Sequence, residues 1–541
     1  MGNKELARSF DQLAKIMEFQ GENHYKIRSY QRISGTLKKL GSPLAEMSMD
    51  EINAIEGVGK AIAGKIQELL NTGTMQTLER YKSEVPQGIL EMLNVKGIGP
   101  KKIKAAWKEL GVESATELLY ACNENRLVEL KGFGAKTQQE VRRQLEFFLR
   151  NRANFLHINV KEMADHLMEI LQSTLPSIQM SWTGSFRRCD PVLDKLELLI
   201  AAEDDVLDEI LALPDMSLIE KRAEHLSLAY QEIPLHIYLS TPQDFVLRLF
   251  ASTGPRALAG RLKGAAYTNE EACFDELGIR YLSPEARALA VAGAQPPDRL
   301  VRREDILGVV HAHSLYSDGV DGLEEMAAYC KGAGYQYFVV TDHSQIAVYA
   351  NGVSRKNVIR QWEEIDQLNN FAVDRFRILK GIECDILNDG NLDYDDELLA
   401  GFEVVIASIH TNIRMNERKA TDRIIRAVES PHTNMLGHPT GRLLLGREGY
   451  PLDMAKIIDA CAANRVAIEL NASPYRLDLD WRWIAKAREK EVLISINPDA
   501  HAKEAINYVD FGVKIARKGW LDKEGCLNAR DVDAFLTFCG K

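Results

Sequence analysis

From residue 305 to the C-terminus the sequence alternates short apolar runs with helical patterns, seven times over. The runs are 306–311, 336–341, 377–382, 403–409, 434–437, 465–470 and 492–497. Short continuous apolar runs separated by helices mark strands buried on both faces, and repeated strand–helix units build a parallel, barrel-like sheet. The chemistry-bearing side chains gather at the ends of these runs. The first leads into His311-Ala-His313 and Ser317-Asp318-Gly319, and the second ends in Thr341-Asp342-His343. Glu383, His410 and His438 follow the third, fourth and fifth, and Asp499-Ala-His501 follows the last. C-terminal strand ends of a parallel barrel converge on one face. Six of the twelve histidines and three carboxylates are therefore expected in one cleft: His311, His313, Asp318, His343, Glu383, His410, His438, Asp499 and His501.

Any one of these histidines alone would more often be structural than a ligand. As a set they suit Zn, Mn or Fe, because imidazole and carboxylate are the donors those ions take. Nine donors exceed what a single ion needs, so two or three divalent ions bridged by a carboxylate are expected. Such clusters activate water and clamp a phosphodiester or phosphomonoester during in-line displacement.

Residues 1–150 read as all helix, broken by three similar turns. These are Ile55-Glu-Gly57-Val-Gly59-Lys60, Val95-Lys-Gly97-Ile-Gly99-Pro100-Lys101-Lys102 and Leu130-Lys-Gly132-Phe-Gly134-Ala-Lys136. Two glycines let the backbone turn tightly, the next helix points its first amides outward, and the lysine adds charge. The pattern resembles the helix-hairpin-helix motif, which grips the DNA backbone without reading sequence. Gly57, Gly59, Lys60, Gly97, Gly99, Lys101, Lys102, Gly132, Gly134 and Lys136 are the expected DNA contacts. Charge points the same way: the chain carries −11 overall, yet residues 1–150 hold 23 basic against 19 acidic side chains, and 151–300 hold 14 against 22.

A chain of 541 residues exceeds the roughly 250–300 at which one core stops growing, so several domains are expected. Residues 151–300 read as mixed α/β, with candidate strands at 196–200 and 235–239, and 284–304 suits a linker. No apolar stretch approaches the roughly 18–20 residues that span a bilayer. The eight cysteines form no CxxC, which disfavours finger-type zinc and a disulfide framework. An intracellular, non-membrane protein is expected.

The barrel motifs, with Gly381-Ile-Glu383, Ser408-Ile-His410 and Gly437-His438-Pro439-Thr-Gly-Arg442, resemble the polymerase-and-histidinol-phosphatase (PHP) domain. Over essentially its whole length the chain resembles bacterial family X DNA polymerases with a C-terminal PHP domain. The resemblance implies four domains. These are a lyase-like 5′-phosphate-binding module (1–80), helix-hairpin-helix fingers (81–152), a nucleotidyltransferase palm (153–298) and a distorted (β/α)7 PHP barrel (299–541). It also implies a multinuclear Mn- or Zn-type site and 3′→5′ exonuclease or abasic-site phosphodiesterase activity on gapped, nicked, 3′-ended or abasic DNA. Glu383, Asp499 and Arg442 are the expected catalytic groups, with Asn351 and Arg447 near the scissile phosphate. Lys65 takes the position of the family's Schiff-base lysine. A monomer in the bacterial cytoplasm, at the nucleoid, is the implied setting.

The palm departs from its family. Gly184 and Ser185 keep the family's Gly-Ser motif, but the three metal-binding aspartates are replaced by Lys195, Glu197 and His236. A Mg²⁺ pair needs several carboxylates; an ammonium repels it and imidazole suits it poorly. No Mg²⁺ pair, and a palm acting as scaffold for a repair nuclease, are expected. The alternatives are an active gap-filling polymerase with PHP proofreading, its site rebuilt from Glu197 with Asp190 or Asp194, and a non-catalytic DNA-end-binding scaffold.

Overall fold

The computed structural model describes the chain apart from residues 1, 124–126, 131–132, 152–153, 203–205, 223–224, 232, 265, 291–295, 372–374, 446–447 and 541. It divides into two units, Met1–Ala153 and Asn154–Lys541. Among the described residues no helix is long and apolar enough to cross a membrane.

The first unit is helical throughout. Its opening helix, Asn3–Gln20, buries Leu6, Phe10, Leu13 and Met17 on one stripe and ends at Gly21 in the left-handed conformation. His24–Lys38 packs beside it, with Phe10 and Tyr30 stacked 6.1 Å apart.

After the helix His157–Thr174 the second unit holds a five-stranded sheet, ordered Met180–Trp182, Leu196–Ile200, Ile233–Leu239, His225–Tyr230 and Met216–Lys221. Seven parallel strands follow, each paired with its neighbour in the chain: Gly308–Val309, Tyr337–Val340, Arg377–Asp385, Val404–Ser408, Met435–Leu436, Ala467–Asn471 and Ile494–Asn497. Alternation along them separates two cores. Tyr337, Val339, Leu379, Val404 and Ile406 pack with Leu527 and Phe535 from the chain's end, while Phe338, Val340, Ile382 and Val405 pack against the surrounding helices.

The first and last strands do not pair, and the gap is bridged by a side chain at one end and by backbone at the other. At one end Asn528 Nδ2 donates to the carbonyls of Gly308 (3.1 Å) and Ile496 (2.7 Å), and its Oδ1 accepts from Ile496 N (3.0 Å). At the other, Ala312 bridges Ala500: His313 N donates to Ala500 O at 2.8 Å, and Ala500 N to His311 O at 3.3 Å. His311 (φ 65°) and Asp499 (φ 52°) turn left-handed there. The run expected at 306–311 forms ladder only at Gly308–Val309, between the 3-10 helix Arg303–Asp305 and that turn.

The segment expected to be a linker is instead packed. Pro284–Leu289 forms a 3-10 helix with Arg287 fully buried against Glu270 (2.7 Å). Arg517, on the barrel helix Val509–Lys518, donates to Glu285 (2.6 Å) and Ser283 (2.7 Å).

Candidate metal centre

All nine side chains expected from the sequence come together at the C-terminal ends of the barrel strands. They form four overlapping groups: His313, Asp318, His343 and His501; His311, His313 and Glu383; His311, His438 and Asp499; and His343, Glu383 and His410. Within each group one ligand atom per residue lies within 4.8 Å of the others.

Glu383 is the hub. It sits within strand Arg377–Asp385, buried on every side. Its Oε1 faces His438 Nε2 (2.8 Å), His410 Nε2 (3.2 Å) and His311 Nε2 (3.3 Å), and its Oε2 faces His343 Nδ1 (2.9 Å). Asp499 Oδ1 lies 3.2 Å from His313 Nε2 and 3.5 Å from His311 Nε2. Asp318, 3.4 Å from His501 Nε2, completes the outer edge. The side chains of Asp318 and His501 are 30% and 42% exposed whereas His311, His313 and Glu383 are enclosed, so the cluster opens to solvent on that edge.

The donor set fits divalent metal ions. His311 Nε2 and His313 Nδ1 are buried without a hydrogen-bond partner among the described residues, 3.3 Å from Glu383 and 3.8 Å from Asp318. His410 Nε2 and His438 Nε2 face each other at 3.3 Å. Lone pairs turned toward shared points beside carboxylates suit a cation. The carboxylates that would attract a cation also favour protons on two of the rings. Burial opposes charge on His410, but Glu383 and Asp385 outweigh it and push its pKa up to about 10. Burial likewise opposes charge on His501, and Asp318 and Asp499 raise it to about 9. Burial, with His343 and His501 alongside, lowers His313 to about 3. Burial would raise Glu383, but His410, His311 and His343 hold it well below the usual carboxylate range.

Outside the nine stands a layer that sequence patterning did not single out. Glu469, fully buried in Ala467–Asn471, accepts from His311 Nδ1 at 2.5 Å, from the His438 backbone amide at 2.6 Å and from Asn497 at 2.9 Å. Asp385 lies 3.3 Å from His410 Nδ1, and Asn471 donates to Asp499 Oδ2 at 3.0 Å. Asp342 accepts from Ser314 Oγ (2.6 Å), Ser317 Oγ (2.5 Å) and Gln361 (2.6 Å), which fixes the loop carrying Asp318. The signals were a lone glutamate in an apolar strand and a second acid two residues beyond Glu383.

Arg442, expected among the catalytic groups, bonds to a neighbouring loop. Its guanidinium donates to Asp480 (2.7 Å) and to the carbonyls of Arg476 (2.9 Å) and Leu477, which holds the 476–480 loop. Arg476, on that loop, is the arginine at the cluster, with Nε 3.5 Å from Asp499. Asn351 Nδ2 reaches Ser317 O at 3.4 Å, and Arg447 lies outside the described residues.

In the helical unit the hairpin turns share one bond: Val58 N to Ile55 O, Ile98 N to Val95 O and Phe133 N to Leu130 O, at 3.0, 3.5 and 3.0 Å. Gly57 (φ 86°) and Gly97 (φ 82°) are left-handed, which a side chain rarely tolerates. Gly59 and Gly99 cap the helices Lys60–Thr72 and Pro100–Leu110. Gly134 precedes Ala135–Asn151, and Gly132 lies outside the described residues. Lys60, Lys101 and Lys136 are exposed, and Lys65 is half-buried. Lys102 Nζ lies 5.8 Å from the Phe133 ring centroid, linking the second and third hairpins.

Comparison with known proteins follows this division. Residues 1–75 match a helix-hairpin-helix domain, 89–146 a SAM-like helix-hairpin-helix tandem, and 310–473 the PHP domain. The chain is 33% identical, over 99% of both sequences, to the DNA polymerase/3′-5′ exonuclease PolX of Bacillus subtilis. The chain belongs to the PolX family. Over part of its length the chain is also similar to shorter proteins. It is 26% identical to a probable phosphatase of Shewanella sediminis (43% of this chain, 92% of that protein) and 28% identical to the probable phosphatase YcdX of Escherichia coli (30% and 60%).

The groups expected at the polymerase site make the following contacts. Gly184 is left-handed (φ 59°), and a Cβ added there would fall 1.7 Å from Glu197 Oε2, so the carboxylate in this position lies directly over the glycine. Glu197 Oε1 accepts from Tyr238 at 3.2 Å. His236, opposite Glu197 in the sheet, stacks on His225 at 4.5 Å, and Lys195 pairs with Asp194 at 3.1 Å. Asp190 is engaged at both oxygens, by Arg188 (2.8 Å) and by the buried Lys518 of the barrel (2.6 Å).

Proposed function

We propose that the chain is a DNA-repair nuclease that hydrolyses phosphodiesters at 3′ ends or abasic sites. The convergence of nine histidine and carboxylate donors in one cleft carries this reading. The nine would hold two or three divalent ions, which polarise a phosphoryl oxygen and lower the pKa of bound water. Glu383 and Asp499, held ionised, supply the negative charge such ions need. Water attacks phosphorus, the P–O3′ bond breaks, and the 3′ oxygen of the retained strand leaves with a proton drawn from that water. Arg476 is placed to meet a phosphate oxygen at the cluster's edge, and Arg442 keeps its loop in position. The hairpin lysines in 1–80 and 81–152 hold the DNA backbone, and the barrel from 299 onward does the cutting.

In the same reading the palm, 153–298, is a scaffold without nucleotidyl transfer. Lys195 and His236 stand where a Mg²⁺ pair needs carboxylates, and Asp190 is tied to Arg188 and Lys518. The test is a gel with Mn²⁺ comparing 3′-recessed, abasic and 3′-phosphate duplexes. Cleavage of at least one, lost in His313→Ala, is expected. Intact substrates across metals and ends would refute the nuclease reading.

A further inference from the structure

A basic notch lies on the same face as the cluster and has no part in it. Its volume is about 410 Å³, and its walls come from the loop after strand Arg377–Asp385 and from helix Glu417–Val428. Those are the chain segments that follow Glu383 and His410. Arg418, Lys419, Arg423 and Arg426 line it against Asp389 and Asp422, a net charge of +2. Residues 419, 423 and 426 are spaced to share one helix face.

The cations differ in what they do. Arg423 is buried and donates to the carbonyls of Leu387 (2.8 Å), Thr411 (3.2 Å) and Ile386, so it staples together the loops after the third and fourth strands. Arg418 approaches Asp422 at 3.6 Å across exposed surface. Lys419 and Arg426 are exposed and make no side-chain ion pair or hydrogen bond among the described residues. Asp389 accepts from its own loop, at Asn391 N and Nδ2. Two unpaired cations beside the buried Arg423 suit successive anionic groups on one ligand.

We infer that this notch is a second phosphate-binding site that takes the DNA backbone a few nucleotides from the scissile bond. Resting on the nuclease reading, it gives the barrel its own grip on a polymer, separate from the hairpins. Bases are not read there; the contacts are phosphate contacts.

The experiment uses the full chain and Lys419→Glu/Arg426→Glu. Each phosphate contact adds about 0.9 (duplex) or about 0.7 (single strand) to the log–log salt slope. The double variant should bind DNA with a slope lower by about 1.4–1.8, and KM for a 3′-ended substrate should rise about tenfold. Hydrolysis of bis-p-nitrophenyl phosphate, too small to reach the notch, should stay at the wild-type rate. An unchanged slope and KM would overturn the inference. So would equal loss on DNA and the small diester in both this variant and Lys419→Gln/Arg426→Gln, since the change would then act through the fold. A wild-type protein that cleaves neither substrate would refute the nuclease reading instead, and the binding slope would still decide the notch.

Discussion

Glutamine at position 469 keeps the shape of the side chain and removes its charge. Oε1 of Glu469 accepts from His311 Nδ1 and Asn497, and Oε2 accepts from the His438 amide. An amide group has one oxygen, so Glu469→Gln turns an NH₂ toward at least one of these donors. One charge-assisted hydrogen bond is lost, about 1.5–3 kcal/mol. The loss falls on His311 or on the backbone of His438, which shares the His311, His438 and Asp499 group. At about 1.4 kcal/mol per decade this is roughly 10- to 100-fold in metal affinity, the range typical of partners that orient ligands. The assay is equilibrium dialysis against buffered Mn²⁺ or Zn²⁺ with elemental analysis, alongside the rise in Tm on metal loading. One ion should bind weakly in Glu469→Gln while the others stay near wild type. Metal affinity within threefold of wild type at every site would refute the argument that Glu469 sets the His311 ring.

Three further outcomes are expected. In a His313→Ala background the palm should add no nucleotide to a gapped primer with Mg²⁺ or Mn²⁺, because Lys195 near a divalent ion at about 4 Å costs about 8 kcal/mol at an effective dielectric near 20; extension that Glu197→Ala abolishes would contradict this. His313→Ala and Asp499→Asn should abolish cleavage while DNA affinity by fluorescence anisotropy stays within about twofold, whereas Lys101→Glu/Lys102→Glu should lower the salt slope by about 1.8. Burial, with Lys514 and Lys161 nearby, lowers His157 to about 4, and the ring stacks on Phe186 at 4.7 Å. Its contribution to stability is complete above about pH 6.5 and falls as pH drops through 4, by about 3 kcal/mol. Urea midpoints of His157→Phe should accordingly fall less than wild type between pH 7 and 4.

Much of the barrel could be read from the chain because its strands are buried on both faces and therefore stand out as apolar runs. Leu196–Ile200 was legible in the palm for the same reason. The nine donors were legible because a strand end places the next one or two residues on the open face, so position along the chain implied position in space. The hairpins were legible because two glycines at fixed spacing are a local requirement of the turn. What escaped was set by partners distant in sequence. Glu469 matters because His311, 158 positions away, points its Nδ1 at it. The bonds of Arg442 to Asp480 and to the carbonyls of Arg476 and Leu477 likewise depend on a loop more than 30 positions away. The 284–304 segment had a linker's composition, yet Arg517 ties it to a barrel helix. Asn528 carried no local signal, and it spans the gap between the first and last strands. Local patterns reach only as far as a helix turn or a strand repeat, and only the assembled barrel decides which buried polar groups meet.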